Sequence, residues 1–399
     1  MSDPPDEQAV WLQRAFDEHR RELHVHCYRL AGNVTDAEDL VQETFLRAWR
    51  ARDRFEGRAS ARTWFYRIAT NVFLDSRKAA GHRTVPYGDP LEWSTELGPY
   101  PDALLADDPQ TGLAARETVE LAVIAALMYL PPRQRAAFVL RDVYGWTPQE
   151  IAAALDTAVA AVNSLLQRAR HTLRRHAPSD PTDWRRPQLT SEDEEILRRY
   201  ANAKDPETFR ALLAEDVRIT MPPEPPVVGI DAAAEFLGRP LDWRTFPTSA
   251  NGRPALINYL RRPGSPHYEA LVVDVLRIEN GKIVESNAFI GARHVAAFSM
   301  PATLGTGGVE GQFAGGAVAA DEQPPMLTGS GSGGDPGPQI LAGGAKTRVR
   351  NVAERAAIRG GELQRVPALP GDVRGQLVDE EPGQRGCQAL PPDPSSKLT

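Results

Sequence analysis

Basic and aromatic side chains alternate over one short stretch of this chain. Between Phe55 and Arg83 the sequence reads FEGRASARTWFYRIATNVFLDSRKAAGHR. Arg54, Arg58, Arg62, Arg67, Arg77, Lys78 and Arg83 surround the triplet Trp64-Phe65-Tyr66. Cations draw in phosphates, and aromatic faces give unpaired bases a surface to stack on. Gripping duplex DNA needs only the first property, whereas the second suits opened strands. Three successive aromatics cannot share one helix face. Phe65 is assigned to the core with Ile68, Ala69 and Val72, and at least one of Trp64 and Tyr66 is expected near the surface. Taken alone, the segment reads equally well as core packing and as base contact.

A second pattern lies further along. Thr147-Pro148-Gln149-Glu150 starts a helix: Thr147 caps, Pro148 suits the first helical position and Glu150 completes a capping box. That helix ends near Leu155, Asp156-Thr157 makes a turn, and a longer basic helix runs to His176. Short helix, tight turn and longer helix make a helix-turn-helix. Its second helix would present Ala160, Ala161, Asn163, Ser164 and Gln167 to base edges, with Arg168 and Arg170 reaching phosphates. The competing reading is a helical hairpin with a solvated basic face.

The elements that must position these residues follow from periodicity. Residues 1–85 read as a helical domain. Thr35 is the expected N-cap of a helix whose apolar face carries Leu40, Val41, Thr44 and Phe45, and whose polar face carries Asp39, Gln42, Glu43 and Arg47. The next helix, about Ala61 to Lys78, has a polar stripe of Arg67, Asn71, Asp75 and Lys78. Residues 86–112 form an acidic, proline-rich linker, and 113–178 a second helical domain. After a linker at 179–189, residues 190–298 begin with two helical segments and continue as alternating strands with a hairpin at Asn280-Gly281, an α+β pattern. Residues 299–399 are rich in glycine and poor in aromatics, and are expected to be disordered.

Charge narrows the partners. The chain of 399 residues has a net charge of −7, so it does not coat DNA indiscriminately. Locally the balance reverses: residues 54–83 carry roughly seven basic and two acidic side chains, and 131–176 roughly seven and three. Cys27 and Cys387 are the only cysteines, which excludes a zinc-spaced cluster and a disulfide framework and suits a reducing cytoplasm. No metal or cofactor is expected. The N-terminus lacks the features of a secretory signal, and no apolar run approaches the roughly 18 residues of a membrane span, so no membrane association is expected.

Together these parts resemble a known family. DAEDLVQETFLRAWR (Asp36 to Arg50), followed by RTWFYRIATNVFLD (Arg62 to Asp75), resembles region two of bacterial RNA polymerase sigma factors. LPPRQRAAFVLRDVYGWTPQEIAAALDTAVAAVNSLLQRARHTL (Leu130 to Leu173) resembles region four. No region-three domain lies between them, as in the extracytoplasmic-function class. DTAVAAVNSLLQRAR departs from the commoner pattern of that class, so promoter preference does not transfer. The third unit, with LLAEDVRITMPP (Leu212 to Pro223) as its best match, resembles a SnoaL-like domain.

The resemblance implies a fold of two all-α sigma domains, the second with the helix-turn-helix, followed by a SnoaL-like α+β cone and a disordered tail. It implies a promoter-specificity subunit whose partners are core RNA polymerase and promoter DNA. Asp39, Gln42, Glu43 and Arg47 would contact polymerase. Arg62, Trp64, Tyr66, Arg67, Asn71, Asp75, Arg77 and Lys78 would read the minus-ten element and capture an unpaired base. Ala160, Ala161, Asn163, Ser164, Gln167, Arg168 and Arg170 would read the minus-thirty-five element. Asp102, Asp107 and Asp108 of the linker would mimic nucleic acid in the polymerase channels. In the cone, Tyr259, His267, Asp274, Glu285, Asn287 and Arg293 are the candidate groups of a possible small-ligand pocket, and the cone is expected to modulate activity rather than catalyse. The alternatives are a helix-turn-helix regulator independent of polymerase and an enzymatic or small-molecule-binding cone. The resemblance identifies no anti-sigma partner.

Overall fold

The computed structural model describes residues 7–57, 59–79, 97–105, 120–176 and 190–305. The first helical unit comprises α1 (Glu7–Ala31), α2 (Val34–Ala51), a 3-10 turn (Arg52–Arg54) and α3 (Ala61–Ala79). Leu12, Phe16 and Leu23 of α1, Leu40 and Val41 of α2 and Phe65, Ala69, Val72 and Phe73 of α3 close its core. The break between α1 and α2 is set by Gly32, at φ 88°, a conformation that costs other residues about 1–2 kcal/mol. A Cβ on Gly32 would also stand 2.7 Å from the Met128 sulfur. Gly32→Ala is therefore expected to lower the melting temperature by a few degrees in calorimetry, more than an alanine at an exposed helical site. Because the chain turns at Gly32, the N-cap falls on Asn33, whose side chain accepts from the Asp36 N–H at 2.8 Å. The expected cap, Thr35, lies inside α2.

The second helical unit holds α4 (Leu121–Met128), α5 (Pro132–Phe138), α6 (Pro148–Ala154) and α7 (Val159–His176). The capping box of Thr147 and Glu150 forms as the sequence dictates. Asp156, at φ 47°, makes the turn between α6 and α7. Beyond α5 the chain widens into a π-helical segment, Val139–Val143, which delivers Tyr144 before Gly145 turns the chain. Arg135, buried on α5, donates to the carbonyls of Leu30 (2.6 Å), Met128 (3.3 Å) and Leu130 (3.2 Å). A guanidinium at these helix ends meets the negative pole of each and stitches α5 to the first unit.

The third unit runs α8 (Ser191–Asn202), α9 (Pro206–Leu212), β1 (Leu213–Met221), β2 (Glu224–Val228), α10 (Ile230–Leu237), β3 (Asp242–Ala250), β4 (Arg253–Arg261), β5 (His267–Glu279), β6 (Lys282–Ile290), α11 (Ala292–Ala296) and β7 (Thr303–Gly305). Sheet order is β2-β1-β6-β5-β4-β3, with β7 beside β5. Asn280-Gly281 makes the expected hairpin at φ 51° and 70°. The sheet is not a pure meander, because β1 pairs parallel to β6. One sheet face, with Ile219, Leu256, Leu276 and Ile283, packs on Leu197, Tyr200 and Phe209 of the helices. Ala250, Ala255, Val275 and Phe289 join the core of the helical units instead.

Two expectations change. Residues 299–305 belong to the third unit through β7, so the tail begins later than composition indicates. The expected disorder of residues 306–399 lies outside the described residues. Of the linker, residues 97–105 are described and carry structure: Leu97 and Tyr100 are buried, Pro101 bridges to Ala250, and Asp102–Leu104 form a 3-10 turn. Proline and acid content suggested a linker with little regular structure, but segment 97–105 is held by tertiary contacts that composition does not encode.

Candidate nucleic-acid interface

Helix α2 buries Val34, Ala37, Leu40, Val41, Thr44 and Ala48, which turns Asp39 and Gln42 outward with Glu43 and Arg47 half-exposed. Arg47 bonds Glu43 at 2.9 Å and reaches across to Asp75 of α3 at 2.8 Å. The Arg47 guanidinium holds the Asp75 carboxyl below its usual range, and Lys78 lies 3.5 Å from the same carboxylate. The expected polymerase-docking stripe and the expected minus-ten helix are thus tied by one ion-pair network.

Along α3 the candidates divide. Arg67 and Lys78 are exposed, and Arg77 pairs with Asp36 at 3.1 Å. Arg62 is half-exposed, bonds Glu22 at 2.8 Å and lies over the Tyr66 ring at 5.1 Å. Trp64 is half-buried, packed on Phe55 (4.9 Å) and near Trp11 (6.4 Å), while Phe55 stacks on Trp11 at 4.6 Å. Phe55 and Trp11 were not anticipated as its partners, since nothing in local periodicity joins three such separated rings. Phe65 is in the core as expected.

Tyr66 and Asn71 are covered. The Tyr66 ring is 2 % exposed, meets Tyr144 of the second unit edge-on at 4.7 Å and lies against His26 at 4.7 Å. Arg29 donates to the Tyr144 hydroxyl at 2.6 Å. The Asn71 amide donates to the Ala154 carbonyl at the end of α6, 3.1 Å away. In this closed arrangement Tyr66 is shut off from a base, and the half-buried Asn71 has its amide already engaged.

The recognition helix is free. Ala160, Ala161, Asn163, Ser164, Gln167, Arg168 and Arg170 of α7 are all exposed, while Val162, Leu166, Ala169 and Leu173 face the core. Ser164 bonds back to the Ala160 carbonyl at 3.1 Å, and Arg170 pairs with Asp142 at 2.9 Å. The face is flat and small at its start and cationic further on, which suits a major groove and its flanking phosphates.

The six candidates in the third unit do not converge. Asp274 lies in register between Leu256 and Ala288, on the face that meets Tyr200, accepts from Asn258 at 2.8 Å, and is pushed up to about 7 by burial. Tyr259 sits with Val273 in a separate cluster and donates to the Pro301 carbonyl. Glu285 pairs with Arg277 and accepts from Asn287, which also accepts from Thr220. His267 lies beside Glu269 at 3.9 Å, and Arg293 donates to His294. Alternation along β6 keeps Glu285 and Asn287 on one face, whereas Asp274, opposite Ala288, lies on the other. Among the described residues no group of three or more His, Cys, Asp or Glu could hold a metal ion.

The junction that sequence reasoning missed is the β3–β4 turn. Asn251 (φ 54°) and Gly252 (φ 75°) form its tip, buried against the first unit and segment 97–105. Asn251 donates its backbone N–H to the Tyr100 carbonyl (2.9 Å) and its amide to the Tyr28 hydroxyl (2.9 Å), and its side-chain oxygen accepts from the Tyr100 N–H (2.7 Å). The Gly252 N–H donates to Asp102 at 2.8 Å, so Asp102, expected to mimic nucleic acid, is a buried acceptor. Asp107 and Asp108 lie outside the described residues. Arg253 pairs with buried Glu120 at the start of α4. The Asn-Gly dipeptide was a readable hairpin signal, the same one that marks Asn280-Gly281.

Family models match three parts of the chain: Sigma-70 region 2 over residues 15–83, Sigma-70 region 4 over 120–173 and a SnoaL-like domain over 195–286. The chain is 37% identical over 327 residues to the ECF RNA polymerase sigma factor SigG of Mycobacterium tuberculosis (strain ATCC 25618 / H37Rv), a match covering 76% of this chain and 87% of that protein. It is 37% identical over 155 residues to the ECF RNA polymerase sigma factor SigJ of the same strain, covering 39% of this chain and 47% of SigJ. The crystal structure of the Mycobacterium tuberculosis extracytoplasmic function sigma factor SigJ aligns with a TM-score of 0.46 at 24% identity, over 71% of this chain and 98% of that one.

Proposed function

The chain belongs to the extracytoplasmic-function sigma factors of RNA polymerase, and from that membership we propose how its residues carry out initiation. Asp39, Gln42 and Glu43, with Arg47 braced between Glu43 and Asp75, dock on core polymerase. Exposed Ala160, Ala161, Asn163, Ser164, Gln167, Arg168 and Arg170 read the minus-thirty-five element as duplex. Arg62, Trp64, Tyr66, Arg67, Asn71, Asp75, Arg77 and Lys78 serve the minus-ten element once strands separate. The observation that carries this assignment is the recognition helix, where every named reader is exposed while the alternate positions are core.

The third unit modulates this activity through its Asn251-Gly252-Arg253 tip. That tip touches α1, segment 97–105 and the start of α4 at once, and so favours the closed arrangement in which Tyr66 and Asn71 are covered. Polymerase binding and promoter opening require release of that cover. Glu285 and Asn287 bond each other, but Asp274, Tyr259 and His267 have their partners elsewhere, so the third unit acts as a regulatory extension rather than an enzyme. A polymerase subunit works in the cytoplasm, and among the described residues no helix is long and apolar enough to cross a membrane.

Run-off transcription with purified core polymerase tests the reading. Reversing charge at Asp39 and Glu43 together (Asp39→Lys, Glu43→Lys) is expected to abolish co-purification with core while the helical circular dichroism is kept; losing the 2.9 Å pair between Glu43 and Arg47 costs about 0.2–1 kcal/mol of stability. Retained binding to core by the double variant would remove α2 from the docking surface. Duplex binding without any core association would favour the polymerase-independent regulator.

A further inference from the structure

Three histidines lie along the seams that close the chain, His26 and His294 buried and His24 half-buried. His26 of α1 sits at the seam between the two helical units. Its Nε2 lies 3.0 Å from the Thr70 hydroxyl, and that hydroxyl donates its own proton to the Tyr66 carbonyl at 2.7 Å. Nε2 is therefore the protonated nitrogen, and Nδ1 is a buried lone pair without a hydrogen-bond partner. A second proton would place an N–H donor at Nδ1 with no acceptor. The groups facing His26 are Arg29 on its own helix, Arg62 and Tyr66 of α3, and Tyr144 of the second unit. Glu22, the carboxylate of this seam, is engaged by Arg62 at 2.8 Å and His19 at 2.7 Å.

The other two flank segment 97–105. His24 faces Tyr100, with Nδ1 2.9 Å from its hydroxyl, and Arg20 on its own helix. His294 of α11 packs so closely on Gly98 that a Cβ there would stand 2.9 Å from its Nδ1. Its Nε2 accepts from Arg293 at 3.2 Å, so protonation at that atom would set two donors against each other. Phe289 covers the ring.

We propose that His24, His26 and His294 make the closed arrangement a proton-sensitive latch, whose protonation releases the second helical unit and segment 97–105 from the first and uncovers Tyr66 and Asn71. Burial, followed by the neighbouring arginines, pulls His24 down to about 4, His26 to about 3 and His294 to about 4. A histidine depressed in the closed form takes its proton in the open form, where its value is ordinary at about 6.5. The closed form's advantage is therefore whole above about pH 6.5 and falls as pH drops below it. Between pH 7.5 and 5.5 a histidine fully hydrated in the open form shifts the open-to-closed ratio roughly tenfold; His26 keeps Thr70 and Tyr66 of its own unit beside it and shifts it less, so the three together stay below about a thousandfold.

Energy transfer between dyes on Asp53→Cys and Gln149→Cys, in the full chain with Cys387→Ser and Cys27 left buried, reads the opening directly. Transfer is expected to fall reversibly between pH 7.5 and 5.5 while the helical circular dichroism is kept. The variant His24→Gln/His26→Phe/His294→Gln should hold its transfer across that range. Should that variant not fold, His294→Gln alone should shrink the change in ratio roughly tenfold. Asp274 titrates in the same window inside the third unit, and Asp274→Asn should leave the response intact. Constant transfer in the parent chain, an unchanged profile in the histidine variants, or a response abolished by Asp274→Asn would each overturn the latch. The consequence for transcription rests on the sigma-factor reading, but the opening does not. Run-off at pH 7.5 tests that reading separately.

Discussion

Asn251→Ala is expected to tighten binding to core polymerase by about tenfold to a hundredfold. At a site only 2 % exposed, the Asn251 side chain accepts from the Tyr100 N–H at 2.7 Å and donates to the Tyr28 hydroxyl at 2.9 Å. Loss of these bonds leaves the buried Tyr100 N–H without that acceptor, at about 1–3 kcal/mol, while the Tyr28 hydroxyl still donates to the Gly98 carbonyl at 2.9 Å. That cost falls on the closed form alone, because in the open form the same groups meet water. If polymerase takes only the open form, its apparent affinity is the intrinsic one scaled by the open fraction. A shift of about 1.4–2.8 kcal/mol then appears as one to two decades. Anisotropy titrations of labelled chain with purified core measure this, and unchanged or weaker binding would mean that the tip does not restrain docking. A gain in affinity from a deletion distinguishes restraint from simple damage, which lowers affinity.

The second large effect concerns Arg253. Its guanidinium pairs with Glu120, 2 % exposed at the N-cap of α4, and is itself mostly buried. Arg253→Ala takes the cation from a carboxylate that has little water, which costs about 3–5 kcal/mol. The melting temperature should fall by several degrees or more, by calorimetry on the full chain. Replacing both partners, Glu120→Gln with Arg253→Met, should recover most of the loss, because the cost comes from taking the cation away from a buried carboxylate rather than from absence of the pair. A loss below about 1 kcal/mol in Arg253→Ala would show that the joint is wet and loosely held in solution. Two routes, one through hydrogen bonds and one through charge, thus test the same turn.

Much of the architecture follows from local pattern. Thr147 to Glu150 capped α6 as read, Asp156 took the left-handed turn, and alternation of Val162, Leu166, Ala169 and Leu173 with polar residues fixed which side of α7 is open. These are short-range effects, decided within a few residues. The shift of the N-cap from Thr35 to Asn33 shows their limit, since Gly32 and its fit against Met128 set where α1 stops. The strands β2, β3 and β7 and the helices α10 and α11 escaped notice. They are short, carry prolines or begin beside glycines, and exist because longer neighbours pair with them or bury them.

The aromatic and basic stretch that first suggested opened DNA illustrates the division. Its composition determined that Phe65, Ala69 and Val72 form core and that Arg67 and Lys78 face outward, because helical period alone assigns them. Composition did not reveal that Trp64 leans on Phe55 and Trp11, nor that Tyr66 is sealed under Tyr144. Those depend on rings brought together from separate helices. The family, its order of domains and its recognition helix were legible in sequence, since each is written in contiguous motifs. The closure was not: Asn251 meets Tyr28 across 223 residues. Such a contact follows from how whole units dock, and docking is decided by the summed fit of surfaces rather than by any local run of residues.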